Sequence, residues 1–376
     1  MLSRVFFACL FYIVILGAQT NAQIQTVSGR IISSLRMDQF LHQQMDSLGI
    51  PGLSIAFIAH GKIVYHRSLG VTSLDTRKPV DDQTIFEAAS LSKPVFAWLV
   101  MRLVDEGKLN LDTPLYRYMP YPDIEKDSRY KLITARIALT HQTGFPNWRY
   151  FEKPDSELHV PYGQLWLKFT PGTQFAYSGE GYFYLAKVVA HICGGNLKTL
   201  NNVFEREEAR PLGMKHAWFS GNEYISAHKA TGHKKGKVFY RKWPTSFPDQ
   251  DSSWFGAAGG LHTEALSYAH FLTAIIARKG LSQATYTEML RPQVVVPRTS
   301  DAYIVGGDTE WALGFAMMPK LDRVFYEHGG SNGNFQSHFI LDLKSKTGYV
   351  FFTNCDQGDA LNQQLFKFFT GTDHEK

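Results

Sequence analysis

The sequence predicts a mixed α/β fold of the α+β type: an antiparallel sheet built from both termini, flanked by helices, with a mainly helical region inserted between its two parts. Three observations carry this. A strand–turn–strand pattern lies near the amino end, strand-like runs recur near the carboxyl end, and the stretch between them is rich in segments of helical spacing. The 376 residues are 44% hydrophobic without low-complexity bias, so the chain can bury an ample core.

Residues 1–22 read as a signal peptide. Arg4 supplies the positive start, 5–17 the apolar run, and Thr20-Asn21-Ala22 a small-residue cleavage site. The apolar run is too short for a comfortable membrane span, and Cys9 lies in its middle rather than at its end. The expectation is therefore an exported protein, periplasmic or secreted, with no transmembrane anchor in the mature chain. One domain is expected over 23–376, its sheet part at about 30–85 and 290–376 and its helical part at about 86–289.

Taken in order, 31–48 has helical spacing (Leu35, Phe40, Leu41, Met45, Leu48) and is broken by Gly49-Ile50-Pro51-Gly52. Residues 53–59 and 63–68, separated by His60-Gly61-Lys62, predict a β-hairpin. A helix opening near Ser90 runs to Gly107, and further helices are predicted at 133–140, 182–193, 197–210 and 265–279. Strands are predicted at 311–317, 323–326, 336–342 and 348–353, and a closing helix at 361–370.

Composition excludes several classes. The net charge of +5 is modest, and the most basic stretch, 228–242, reads as a solvated hairpin, so nucleic acid is not an expected partner. The 14 histidines form no close pair on a helix face with acidic or cysteine companions, so no metal or cofactor is expected. Cys193 and Cys355 admit one disulfide in an oxidising compartment, but two buried free thiols is the simpler reading.

The stretch Phe86-Glu87-Ala88-Ala89-Ser90-Leu91-Ser92-Lys93-Pro94 leads into 95–104, apolar nearly all round, as in a core helix. Pro94 belongs in a first turn, so Ser90 and Lys93 stand at i and i+3 at the helix start. A lysine at the positive end of a helix dipole and partly desolvated has a lowered pKa and can take the proton of a serine hydroxyl. The same spacing occurs at Ser128/Lys131 and Ser226/Lys229, but both lie in polar surface stretches.

Tyr177, in a Pro-Gly loop ahead of a helix, can relay a proton if a neighbouring cation lowers its pKa. In His328-Gly329-Gly330-Ser331-Asn332-Gly333 the glycines permit close approach, and free backbone N–H groups can hold an oxyanion. The Gly-x-Ser-x-Gly pattern around Ser331 is not read as a nucleophile elbow, because a strand rather than a helix follows. Lys346-Thr347-Gly348 reads as a surface turn between strands.

Together these segments resemble the serine β-lactamase and penicillin-binding protein superfamily, and within it the class C β-lactamase-like esterases and peptidases. Besides the Ser90 motif, Leu139 to Pro146 resembles the "LTHxSGLP" segment and Phe175 to Tyr182 the "YSNxGY" region. Ala257 to Leu261 resembles "AGGL", and His328-Gly329-Gly330 looks like an "HxG" variant of the third motif. The resemblance implies acyl transfer to a small-molecule or peptide substrate. Ser90 would be the nucleophile, Lys93 and Tyr177 would move its proton, and the N–H groups of Ser90 and Ser331 would form the oxyanion hole. His328 and Gly330 would border the substrate. Two departures stand out: Gly179 replaces the usual asparagine of the second motif, and His328 the usual lysine of the third. Both weaken the case for an efficient β-lactamase and leave ester or peptide hydrolysis open, with a class C-like β-lactamase or D-Ala-D-Ala carboxypeptidase as a second alternative. A penicillin-binding or cell-wall-sensing module without efficient turnover is the alternative. If His328 touches substrate, activity is expected to titrate in the histidine range.

Overall fold

The computed structural model describes residues 23–242 and 253–372; the expected signal segment lies outside them. Among the described residues, no helix is long and apolar enough to cross a membrane. The long helices and main-sheet strands are α1 (Ser34–Leu48), β1 (Gly52–Ala59), β2 (Lys62–Gly70), α2 (Ser92–Asp105), α3 (Gly179–Ile192) and α4 (Ala265–Ala277). There follow β3 (Val294–Val295), β4 (Glu310–Trp311), β5 (Ala316–Lys320), β6 (Arg323–Ser331), β7 (Gln336–Asp342), β8 (Thr347–Thr353) and α5 (Gly358–Thr370).

The main sheet is antiparallel throughout, in the order β3-β4-β5-β6-β7-β8-β1-β2, so the carboxyl-terminal strands meet the amino-terminal hairpin through β8 and β1. The hairpin closes on the two-residue turn His60-Gly61, both with positive φ (52° and 70°), as a type I′ turn requires. Strand alternation sorts the side chains. Leu53, Ile55 and Phe57 of β1 pack with the apolar faces of α1 and α5, while Ala56 and Ile58 join the core of the helical part. The same period puts Glu327 and Gly329 of β6 on the α5 side. It turns His328 and Gly330 toward α2, where the functional side chains gather.

Helix α2 is buried on nearly every face, which accounts for its all-round apolar sequence. The predicted helix over 197–210 is instead Leu200–Phe204, a π-helical turn Glu205–Ala209 and Arg210–Leu212, with Pro211 stopping a regular continuation. The predicted strand 311–317 is split into β4 and β5 at Leu313-Gly314, where Gly314 has φ 87° and a Cβ would meet that of Ala97 at 2.4 Å. Residue 31 opens a short strand (Ile31–Ser33), and α1 begins only after Ser33, whose side chain accepts from the Arg36 N–H. The helices Glu223–His228 and Gln283–Leu290 carry no strong apolar period and are not anticipated by the sequence. Cys193 and Cys355 are free thiols. Of the basic stretch, His233–Lys234 and Lys237–Val238 do form a small hairpin, yet His233 is fully buried, its Nδ1 bonded to the Asn354 carbonyl at 2.9 Å.

Candidate active site

Ser90 sits in a tight 3-10 turn, Ala89–Leu91, between the short strand Phe86–Glu87 and α2. Ala89 is held at φ 47°, a left-handed conformation that costs a non-glycine residue about 1 kcal/mol or more and persists only where surroundings enforce it. The enforcing contacts are visible. Ala88 N–H donates to the Leu261 carbonyl at 2.8 Å. Ser92 Oγ donates to the Ala89 carbonyl at 2.6 Å and accepts from Leu261 N–H at 2.9 Å. The Tyr268 hydroxyl donates to the Leu91 carbonyl at 2.9 Å. Ser90 alone of this turn stays half-exposed.

Lys93, one turn on, is 1% exposed, so its amine depends on protein partners in place of water. Its Nζ lies 3.1 Å from Ser90 Oγ, donates to the Ala258 carbonyl at 2.6 Å and stands 4.7 Å from the centroid of the Tyr177 ring. Tyr177 thus flanks the Ser90–Lys93 pair. Burial, with Glu327 nearby, holds its hydroxyl above the ordinary tyrosine range despite the neighbouring Ser90 hydroxyl. A neighbouring cation therefore does not lower this pKa: desolvation of the phenolate dominates, and the resting group is a neutral phenol.

Beneath Tyr177 lies His141, ring centroids 4.2 Å apart and stacked. Its Nδ1 accepts from the Ser178 N–H at 3.0 Å, so Nε2 carries the hydrogen. Burial, then Lys93 and His328, push the imidazole well below its ordinary pKa. His328 completes this wall, 6.1 Å from the Tyr177 ring and 5.5 Å from that of Trp311. Its Nδ1 donates to the Gly329 carbonyl at 2.7 Å, leaving the Nε2 lone pair available. Burial first, and Lys93 second, lower its pKa to about 3. A titration of His328 in the histidine range is thus not expected, because protonation would place a charge in a buried site beside Lys93. His328→Gln is expected to leave the apparent pKa values of kcat/KM in place while changing its magnitude. An inflection near pH 6.5 present in the wild type and absent from this variant would contradict that.

Gly330 shows why the third segment is glycine-rich. A Cβ there would lie 2.4 Å from Ser337 Oγ and 2.5 Å from the Ala88 carbonyl oxygen, so only glycine lets β6 press against the Ser90 turn. Ser337 Oγ ties the two together by donating to Ala88 O at 2.7 Å. Ser331 follows at the exposed end of β6, its Oγ accepting from Gly333 N–H at 3.3 Å. The structure thus gathers Ser90, Lys93, Tyr177, His328 and Gly330, with Ser331 at the rim. Sequence reasoning missed His141, Trp311 and the Ala258 carbonyl. His141 and Ala258 did lie in the quoted segments, but a backbone acceptor and a left-handed histidine (φ 58°) leave no residue-type signature. Of the other aromatics, Trp148 lies against Gly179, two residues on from Tyr177, while Tyr150 meets Tyr162 and Trp254 stacks on Phe183. Among the described residues, no group of His, Cys, Asp or Glu is arranged to hold a metal ion.

Behind His328, on the opposite face of the sheet, Glu327 contacts His338 and lies beside Asp308, all three buried. Burial raises Glu327 to about 7, and burial together with Glu327 raises Asp308 further. Both carboxyls hold protons in the folded state that the unfolded chain gives up near pH 4 to 4.5. The contribution of each to stability is therefore full below that range, and is lost as pH rises through about 7 for Glu327 and about 10 for Asp308. Glu327→Gln is expected to flatten the fall in urea midpoint between pH 5 and 8; an unchanged slope would show that the pair stays ionised.

The Beta-lactamase family model matches residues 37–368. The chain is 22% identical over 335 residues to Protein flp of Staphylococcus aureus, covering 86% of this chain and 63% of that protein. It spans less than two thirds of that longer relative. It is 26% identical over 285 residues to a beta-lactamase of Pseudomonas fluorescens, covering 75% of this chain and 74% of that one. In fold it is similar to the octameric penicillin-binding protein homologue of Pyrococcus abyssi (TM-score 0.70, 24% identity, 86% of this chain and 74% of that one). It also matches a class C beta-lactamase (TM-score 0.68, 19% identity, 85% and 90%). A third fold match is the D-alanine carboxypeptidase AmpC of Burkholderia cenocepacia (TM-score 0.66, 21% identity, 85% and 92%). With the family model spanning nearly all the described chain and the antiparallel sheet and flanking helices in place, this protein belongs to the Beta-lactamase family of the serine β-lactamase and penicillin-binding protein superfamily.

Proposed function

We propose that this chain is an exported serine hydrolase that cleaves an ester or amide through an acyl-enzyme on Ser90. The observation that carries the reading is the approach of Lys93 Nζ to 3.1 Å from Ser90 Oγ, with the Tyr177 ring centroid 4.7 Å from the same Nζ. The export half rests on the signature in residues 1–22.

In this reading Ser90 Oγ bonds to the substrate carbonyl carbon as its proton passes to the neutral Lys93 amine. The Tyr177 proton goes to the leaving oxygen or nitrogen as that bond breaks, and Lys93 returns its proton to Tyr177. Water then repeats the sequence on the acyl group, giving the free acid and restoring Ser90. The N–H groups of Ser90 and Ser331 hold the carbonyl oxygen as it gains charge. A neutral His328 offers a substrate carboxylate no charge, which favours neutral esters over the D-alanyl peptides and β-lactams that the neighbours' names suggest.

A panel of short-chain nitrophenyl esters, nitrocefin and D-alanyl-D-alanine peptides tests this, with the intact protein mass followed over time. Ester turnover with a transient acyl mass is expected. A stable adduct without product release would instead mark a sensing module, and no reaction with any member would end the proposal.

A further inference from the structure

We propose that the Trp148 indole is the specificity-determining wall of this cleft, selecting substrates with an alkyl or aryl group next to the carbonyl over those with an amide there. This rests on the acyl-enzyme reading above and adds the substrate class.

The placement follows from the backbone. Ser178 is extended (φ −142°, ψ 118°), so positions 177 and 179 face the same side, and a side chain at 179 would point where the Tyr177 ring points. That volume is occupied. A Cβ built on Gly179 would stand 2.6 and 2.7 Å from Trp148 Cζ2 and Cε2, and 3.0 Å from the Asn147 carbonyl oxygen. The glycine and the indole therefore belong together. The polar amide that family members present from position 179 is replaced here by an aromatic ring reaching in from the preceding loop.

The ring is held in place by its neighbours. Arg149 forks onto Glu180 through Nε (2.9 Å) and Nη2 (2.8 Å), and also donates to the Tyr121 hydroxyl and Asp123 Oδ2 at 2.9 and 2.7 Å. Ser178 Oγ donates to the Pro146 carbonyl at 2.8 Å. Gly179 N–H donates to Asn147 Oδ1 at 3.0 Å, which commits that amide oxygen to the backbone. Loop 146–149 is thereby stitched to the start of α3 on both sides of Trp148, whose ring stays half-exposed.

A half-exposed indole face rewards apolar contact and offers no acceptor to a substrate N–H. An amide laid against it loses its water without replacement, whereas an alkyl chain gains by burial. Pocket discrimination of this kind is worth roughly tenfold or more.

The test compares nitrophenyl hexanoate with the nitrophenyl ester of N-acetylglycine, similar in length but with an amide beside the carbonyl. The wild type is expected to favour hexanoate by at least roughly tenfold in kcat/KM. Trp148→Ala is expected to reduce that ratio at least fivefold, and Trp148→Phe to keep most of it. The readout is a ratio within one protein, so a general loss of activity cancels. A wild-type ratio near one, or an unchanged ratio in Trp148→Ala, overturns the inference while leaving the acyl-enzyme intact. Ester hydrolysis that survives in Ser90→Ala would instead overturn the reading on which it rests.

Discussion

Ser90→Ala is expected to lower kcat/KM for a short-chain nitrophenyl ester by at least about a thousandfold, the scale seen when a nucleophile that works as a unit with its base is removed. The geometry explains the size. Ser90 Oγ stands 3.1 Å from Lys93 Nζ, and the turn that presents it is held in a left-handed conformation at Ala89. Lys93→Ala should fall into the same range, and the double variant should be little worse than either single one. Independent, multiplying losses would mean that the two residues do not share a step. The fold should survive in Ser90→Ala, since the side chain is half-exposed and the turn is fastened through Ala88, Ser92 and Leu91 instead.

Arg149→Ala is expected to cost about 3–5 kcal/mol of stability, because it strands a buried carboxylate. Arg149 is 8% and Glu180 3% exposed at the side chain, and the guanidinium also serves Tyr121 and Asp123. Urea unfolding of the single variants and of Arg149→Leu with Glu180→Gln measures the coupling. The double variant should recover much of the loss, since no deeply buried unpaired charge remains and Asp123 reaches solvent. A single-variant loss below about 1 kcal/mol would show that water reaches the pair and that it behaves as a surface bridge.

Much of this was legible in the sequence because the relevant signals are local. The hairpin either side of His60-Gly61-Lys62 and the all-round apolar helix after Pro94 each depend on residues close in the chain. Ser90, Lys93, Tyr177, His328 and Gly330 were legible for a different reason, since their segments carry recognisable motifs. Charge states were not legible. The neutral phenol of Tyr177 and the imidazole of His328, with its pKa near 3, are set by burial among residues far apart in sequence. The sequence at Gly179 shows only a missing amide; the Trp148 ring beside it is a tertiary contact between positions thirty-one apart. The helix at Gln283–Leu290 was missed because its sequence is polar and β-branched, and its Ser282 cap and tertiary packing outweigh that weak propensity.

The convergence of Ser90, Lys93 and Tyr177 on one acylating oxygen is tested most directly by mapping a fluorophosphonate adduct to its residue by peptide mass spectrometry. The predicted result is a single adduct on Ser90, absent from Ser90→Ala and formed far more slowly in Lys93→Ala and Tyr177→Phe. An adduct on Ser331, or labelling of Ser90 at an undiminished rate without Lys93, would contradict it.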